Sequence, residues 1–278
     1  MNPVYQRRRR LNRFVMVLCL SAALFGIAWL LMILVSLLIE GLPALSPSVF
    51  FERTRMSDGG LGNAILGSLV MTALATAGGS IVGIAAGTWL AEYGGRSHLA
   101  NTIRFINDVL LSAPSIIIGL YIYAIIVLPM GHFSGWAGAA SLMVLIIPVV
   151  IRSTEDMLLL VPGTLREAAS ALGAHRWWVV IRVCYTGARA GIITGILLGC
   201  ARISGETAPL LFTALNSNQW VFNLNSEMPN LPMVLYQNMT INSFIPAKVE
   251  LAWTGALILT AAVLILNILA RVISARKG

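Results

Sequence analysis

Charged side chains are scarce in this sequence: Asp, Glu, Lys and Arg make up 11% of its 278 residues, where a soluble domain carries about a quarter. Lysine is scarcer still, since only Lys248 and Lys277 are present. Neither lysine follows a glycine, as the phosphate-binding loop of an ATPase requires. We therefore expect no ATP site of that kind in this chain.

Motifs of catalytic or metal-binding residues are also lacking. The sequence contains no HExxH or paired-cysteine metal pattern and no GxSxG nucleophile motif. We expect no catalytic residues, no metal site and no cofactor in this chain, and we expect reduced, structural thiols. The widely spaced histidines and cysteines are His98, His132, His175, Cys19, Cys184 and Cys200.

Long apolar runs dominate what remains, with a hydrophobic fraction of 58% and a mean hydropathy of +0.83. About 20 apolar residues are needed to cross ~30 Å of hydrocarbon, and the runs reach that length. The sequence predicts an all-α membrane protein with a basic N-terminus (1–13), a first span with its external loop (14–60) and a main domain (61–273). The six predicted spans are 14–39, 61–91, 109–128, 135–151, 188–215 and 249–271, with Pro114 and Pro148 interrupting the third and fourth.

The distribution of basic residues supports this count. Of the 19 Lys and Arg residues, 15 fall on one side of the predicted membrane, three (Arg53, Arg55 and Lys248) fall on the other, and Arg202 lies inside a span. Such a bias predicts that both termini are cytoplasmic. The 15 are Arg7, Arg8, Arg9, Arg10, Arg13, Arg96, Arg104, Arg152, Arg166, Arg176, Arg182, Arg189, Arg271, Arg276 and Lys277. The basic N-terminal run is thus interpreted as a topology signal and not as a nucleic-acid site.

The longest predicted cytoplasmic connection (152–189) contains "LREAASALGAHRWWVV". Leu165, Ala168, Ala169 and Leu172 recur at helical spacing, and Gly173 lets the chain turn before Trp177. One interpretation is an interfacial helix lying on the lipid headgroups. The other is a short helix offered to a soluble partner.

The predicted fifth span contains a charged pair, Arg202 and Glu206, one helical turn apart and at hydrocarbon depth. A charge at that depth costs at least about 2.5–3.5 kcal/mol and must face a partner or a wet cavity. The two side chains could form a structural salt bridge. Alternatively, Arg202 could donate its planar fork to a small oxyanion, with Thr207 beside it and Pro209 loosening the helix. Phosphate, sulfate and molybdate all fit this chemistry.

The loop sequence "EAASALGA" resembles the EAA loop of membrane subunits of binding-protein-dependent ABC importers. The resemblance rests on Glu167, Ala168, Ala169 and Gly173, at the place between the fourth and fifth of six spans. It implies a helix that couples this chain to a cytoplasmic ATPase. The family's Leu-Pro after the loop is missing, because residues 183–186 read Val-Cys-Tyr-Thr.

The segments "RFINDVLLSAPSIIIGLYIY", "HFSGWAGA" and "ARISGETAPLLFTA" resemble the A-type membrane subunits of bacterial high-affinity phosphate ABC importers. This resemblance implies the type I importer transmembrane fold in the bacterial inner membrane, with Arg202, Glu206 and Thr207 on the phosphate pathway. It also implies four partners: a related C-type permease subunit, an ATPase dimer that uses ATP and Mg²⁺, a periplasmic phosphate-binding protein and membrane lipid.

Three other functions remain open from the sequence. The chain could serve an ABC importer of another oxyanion. An ion-coupled secondary transporter is a second alternative, although such proteins usually have repeated halves and none is evident here. A membrane-embedded enzyme or scaffold is a third, without any catalytic pattern to support it.

Overall fold

The computed structural model describes residues 3–55, 59–95 and 97–275, and every regular element in these ranges is helical. Short π-helical turns at 89–94, 123–127 and 180–184 extend or join the helices that flank them. The helices are α1 (Pro3–Gly41), α2 (Pro47–Phe51), α3 (Gly62–Thr88), α4 (His98–Ser112), α5 (Ser115–Ile122), α6 (Leu128–Met130), α7 (Gly135–Leu159), α8 (Gly163–Ala171), α9 (Arg176–Val179), α10 (Tyr185–Ile203), α11 (Ala208–Thr213), α12 (Leu231–Thr240) and α13 (Pro246–Ala275).

Five helical segments of the described chain are long and apolar enough to cross a membrane: 7–41, 62–94, 135–159, 176–203 and 246–273. The third predicted span (109–128) is not a straight helix. It consists of α4 and the 115–130 segment, which meet at an angle of 105°. Pro114 lies in the break, and the residue before a proline is disfavoured in helical conformation. Pro148, in contrast, lies inside a continuous α7.

The start of α1 and the end of α13 lie at the same end of the bundle. The first and last helices run antiparallel, because the Thr254 hydroxyl near the start of α13 donates to the carbonyl of Gly41 at the end of α1 (2.9 Å). We call this pole the termini end. The other pole, which carries α2, α11 and α12, is the opposite end.

The centre of the bundle is formed by α7, which packs against α3 and α10. Glycines allow this close approach: a Cβ at Gly83 of α3 would lie 2.6 Å from the Cβ of Val150, and one at Gly87 would lie 2.8 Å from that of Thr154. Small residues at four-residue spacing are typical of membrane helices whose backbones nearly touch. The glycine-rich face of α3 therefore forms the seam between α3 and α7.

The predicted fifth span (188–215) is wrong as a continuous helix. The observed helix ends at Ile203, and a new one begins at Ala208. Pro209 explains the break, because it has no N–H to donate and its ring would clash with the carbonyl of Gly205. The predicted connection 152–189 is also shorter than expected, since α7 continues to Leu159 and helix resumes at Arg176.

The first helix is peripheral. Within the apolar windows of both α1 and α13, only 6% of the residues are buried, and α1 has most of its helix contacts with α13. Large side chains such as Phe25 and Ile33 are 66% and 60% exposed. An apolar surface of this extent must be covered by lipid or by another membrane protein.

Candidate functional site

The helix that the sequence predicts around "EAASALG" is α8, which runs from Gly163 to Ala171. Gly163 begins the helix, Ala171 ends it, and Gly173 follows with a φ of +83°. Glycine adopts this left-handed conformation without strain, so the chain reverses here and helix resumes at Arg176. The two helical pieces on either side of the glycine are those predicted from the sequence.

An ion pair fixes α8 to the end of the second span. The guanidinium of Arg166 donates to the Glu92 carboxylate, with Nη2 2.7 Å from Oε1. The same guanidinium donates to the backbone carbonyls of Leu158 and Val161. The Glu92 side chain is only 8% exposed. The bond to Glu92 raises the pKa of Arg166 despite the opposing effect of burial, so the arginine keeps its charge.

A second arginine joins the same cluster. Arg176, at the start of α9, donates to the backbone carbonyl of Glu92 and lies over the ring of Tyr93, 4.8 Å from its centroid. A cation over an aromatic face is worth about 0.5–1 kcal/mol at an exposed site. A residue of α8 and a residue of α9 therefore both bind the segment that ends the second span. We call Glu92, Tyr93, Arg166 and Arg176 the clamp.

The face of α8 away from the clamp is open. A groove of about 590 Å³ runs between α8 and the segment after it, and its lining includes Leu165, Ala168, Leu172 and Trp178. Leu172 is 89% exposed. Of the residues singled out in the sequence, Glu167 and Ala168 are exposed and Ala169 is half-buried. Ala168, Ala169 and Gly173 line the groove, whereas Glu167 lies outside it.

The second candidate site is the break after α10. Arg202 lies in the last turn of α10, where the negative end of the helix dipole stabilises a cation. Its side chain is exposed. It makes no hydrogen bond or ion pair with any residue that the structure describes. A guanidinium in this position is open to a ligand or to another chain.

The arrangement of Glu206 differs from the predicted one. Because α10 ends at Ile203, Glu206 is not one helical turn beyond Arg202 but lies in the non-helical link, where its N–H donates to the carbonyl of Ile203 (3.3 Å). Among the described residues the two side chains form no ion pair. Thr207 precedes α11 and is half-buried, as Glu206 is. Arg202 and Glu206 therefore do not form the salt bridge that was one interpretation of the sequence.

A second broken helix meets this link. A Cβ at Gly119 of α5 would lie 2.6 Å from the Cα of Pro209 in α11. The two short helices that follow the breaks at Pro114 and at 204–207 therefore pack on each other. In membrane proteins, irregular backbone is tolerated where protein or a water-filled cavity surrounds it.

Sequence reasoning missed the clamp entirely. Glu92 and Arg166 are 74 positions apart, and no spacing rule connects them. The one signal in the sequence was an isolated carboxylate at the end of a long apolar span, which needs a partner if it is buried. No group of three or more His, Cys, Asp or Glu side chains that could hold a metal ion occurs in the described part of the chain.

Comparison with known proteins adds a family match. Residues 79–278 match the model of the binding-protein-dependent transport system inner membrane component. The phosphate transport system permease protein PstA of Pasteurella multocida is 51% identical over 279 aligned residues, covering 100% of this chain and 99% of the relative. The protein of the same name from Haemophilus influenzae is 48% identical, covering 97% of this chain and 96% of that one.

Solved structures agree on the fold. A chain of a bacterial ABC transporter involved in the import of alginate aligns with a TM-score of 0.69 at 11% identity, covering 99% of both chains. A chain of the inward-facing MetNI methionine ABC transporter aligns with a TM-score of 0.64 at 21% identity, covering 78% of this chain and 96% of that one. The fold is that of the type I ABC importer transmembrane domain.

Proposed function

Because the chain belongs to the family of binding-protein-dependent transport system inner membrane components, we propose that it is the permease subunit of an ATP-driven importer of inorganic phosphate. The observation that carries this proposal is 51% identity, along the whole chain, to a phosphate transport permease. An exposed arginine at the broken end of α10 supplies the chemistry that an oxyanion needs.

The orientation follows from charge. The termini end carries the arginines of the clamp and most other basic residues, and a cytoplasmic excess of Lys and Arg is the usual signal. We place the termini end in the cytoplasm of a bacterial inner membrane and the opposite end in the periplasm. Arg96, Arg276 and Lys277 belong to the same count but lie outside the described residues.

The groove beside α8 is the proposed contact for a cytoplasmic ATPase dimer. It is apolar, exposed and fixed to the second span by the clamp. A displacement of α8 by the ATPase therefore moves α3, which packs along α7 through the glycine seam. ATP and Mg²⁺ act in the partner, and this chain contributes no catalytic residue.

A related C-type permease subunit completes the pathway in this proposal, and a periplasmic phosphate-binding protein delivers the cargo. Arg202 is exposed in the single chain, which suits a position shared between two permeases. Phosphate released from the binding protein passes Arg202 when the helices rearrange. Glu206 and Thr207, in the non-helical link beside it, are the other proposed pathway residues.

Uptake of radiolabelled phosphate into proteoliposomes tests the proposal. The whole complex should accumulate phosphate only with ATP inside and the binding protein outside. An excess of sulfate or molybdate should not compete; competition by either would identify another oxyanion as cargo. Uptake that survives ATP removal but stops with an uncoupler would contradict the proposal. Glu167→Lys should weaken co-purification of the ATPase, with Glu250→Lys at the opposite end as the matched control.

A further inference from the structure

The segment that ends the second span, residues 89–95, is also bound by an arginine outside the clamp. Arg104 of α4 donates from Nη2 to the carbonyl of Leu90 and from Nη1 to that of Gly95, both at 3.2 Å. Carbonyls near the end of a helix carry the negative end of its dipole, which a guanidinium stabilises. Arg104 thus fixes α4 to the same segment whose Glu92 the clamp fixes to α8.

The Arg104 guanidinium also reaches α7. Its Nε lies 2.7 Å from Oε1 of Glu155, and the Glu155 side chain is only 5% exposed. A carboxylate this buried is costly unless a cation and hydrogen bonds stabilise it. A further bond from Nη1 to Oδ1 of Asn101 (3.2 Å) orients the guanidinium on α4. One side chain therefore joins the segment 89–95, α4 and α7.

Packing on either side of Arg104 supports these bonds. A Cβ at Gly94 would lie 3.0 Å from the Cβ of Ala100 in α4, so the start of α4 nearly touches the segment 89–95. Farther along α4, the Asn107 amide donates to the carbonyl of Pro148 in α7 (3.3 Å). Because α4 is held at both levels, a displacement of the segment 89–95 should carry α4 with it.

The helix α4 leads directly into the bend of the broken span. Only two residues separate it from α5, and the two parts of the span meet at 105°. A Cβ at Gly119 of α5 would lie 2.6 Å from the Cα of Pro209 in α11. Pro209 follows the link that contains Glu206 and Thr207, two of the proposed pathway residues. A movement of α4 therefore reaches the proposed pathway through α5 and α11.

We propose that Arg104 is a positioning residue for transport, which passes a displacement of α8 from the segment 89–95 to α4 and the broken span. Packed helices and hydrogen-bond networks are the physical carriers of coupling between distant sites, and three helical elements meet at this one side chain. The proposal rests on the proposed function, from which it takes the contact of the ATPase at α8. The alternative is that Arg104 only neutralises the buried Glu155.

The first experiment measures phosphate uptake per ATP hydrolysed by the whole complex in proteoliposomes. Arg104→Gln/Glu155→Gln removes both charges together, so that no buried charge is left unpaired. Uptake per ATP should fall at least about fivefold, the lower end of typical coupling between sites, while the ATPase still co-purifies. Arg189→Gln, an exposed arginine of α10, is the matched control and should keep the wild-type ratio. A wild-type ratio in the double variant would overturn the proposal.

Arg104→Lys separates positioning from neutralisation. Lysine keeps a charge for Glu155, but its single ammonium cannot serve Glu155, Leu90 and Gly95 together as the planar fork does. We expect a melting temperature of the purified complex close to that of the wild type, together with a lowered ratio of uptake to hydrolysis. If lysine restores both quantities, Arg104 only neutralises Glu155 and the proposal is overturned. This variant keeps the test valid even if the double variant fails to fold.

The second experiment follows α4 itself. Thr102→Cys in α4 and Ile265→Cys in α13, both exposed positions, carry spin labels in a background with Cys19→Ser and Cys200→Ser. Double electron–electron resonance then measures how ATP changes the distance between the labels in the whole complex. ATP should change this distance in the background protein and change it less when Arg104→Lys is added. An equal change in both, or no change in the background protein, would overturn the proposal.

Failure of this proposal is separable from failure of the proposed function. A wild-type ratio in both Arg104 variants, in a complex that accumulates phosphate, would remove the role of Arg104 and leave the importer intact. An ATP-dependent displacement of α4 that needs Arg104, in a complex that transports another anion and not phosphate, would keep this role and remove phosphate as the cargo.

Discussion

Arg166 and Glu92 form an ion pair of 2.7 Å between α8 and the end of the second span, with the glutamate 8% and the arginine 25% exposed in their side chains. The pair joins α8, beside the groove, to the segment that continues α3, the helix that packs on α7. It ties a surface segment without buried residues of its own to the centre of the bundle. Transmission of force across the molecule should therefore depend on it.

The first prediction concerns this pair. Glu92→Gln removes the charge and leaves Arg166 partly desolvated, so we expect a loss of about 1–3 kcal/mol in stability. Phosphate uptake per ATP hydrolysed should fall, while ATPase activity persists. The melting temperature of the complex and the ratio of uptake to hydrolysis measure the two effects.

Two controls sharpen this test. Arg152 and Asp156 also form an ion pair (3.2 Å), but both are about half exposed, so Asp156→Asn should cost less than about 1 kcal/mol. The double variant Glu92→Gln/Arg166→Gln should lose less stability than the sum of its two single variants, because Glu92 and Arg166 interact. Additive losses of stability would show that Glu92 and Arg166 do not stabilise each other.

The second prediction concerns Arg202. Arg202→Gln should reduce phosphate uptake at least about tenfold without dispersing the complex, since the charge that attracts the anion is gone. Arg202→Lys should retain part of the activity, because the charge remains but the bidentate fork is lost. Arg189→Gln, about 20 Å earlier on the same helix, is the control. Normal uptake by Arg202→Gln would reduce this arginine to a packing role.

The third prediction concerns the seam between α3 and α7. A Cβ at Gly83 would lie 2.6 Å from the Val150 Cβ, so Gly83→Val should destabilise the protein by about 1–3 kcal/mol through overpacking. A Cβ at Gly26 would meet nothing within 4 Å, and Gly26→Val should be neutral. Equal effects at Gly83 and Gly26 would contradict the close packing.

The fourth prediction concerns the turn after α8. Gly173 has a φ of +83°, which costs a residue with a Cβ about 1–2 kcal/mol. Gly173→Val should weaken co-purification of the ATPase more than Gly173→Asn, because asparagine tolerates this conformation better. Gly163 has ordinary φ and open space around it, so Gly163→Ala should bind normally. Equal binding by the Val and Asn variants would argue against a conformational role.

The membrane spans and the helix α8 were predictable from the sequence. Apolar runs of sufficient length gave the spans, and "EAASALG" gave α8 and the turn at Gly173 at their observed places. Each of these depends on local composition or spacing, which a single sequence displays directly.

Interactions between distant residues were not predictable. Pro209 indicated a loosened helix, but not that α11, which follows the complete break between Arg202 and Glu206, packs on α5. Likewise, Pro114 indicated a kink without its angle of 105°. The pairing of Glu92 with Arg166 arises only when helices from separate parts of the chain meet.

The first helix has a consequence for the choice of membrane. Its apolar part, Phe14 to Ile39, is about 39 Å long at 1.5 Å per residue, whereas the hydrocarbon layer measures about 30 Å. Such an excess is accommodated by tilting or by local thickening of the bilayer, at a modest cost per ångström of mismatch. Since α1 is joined to the bundle mainly through α13, its angle can adjust with little disturbance of α3 and α7. Lipids with longer acyl chains should therefore bring this helix upright while the rest of the protein keeps its arrangement.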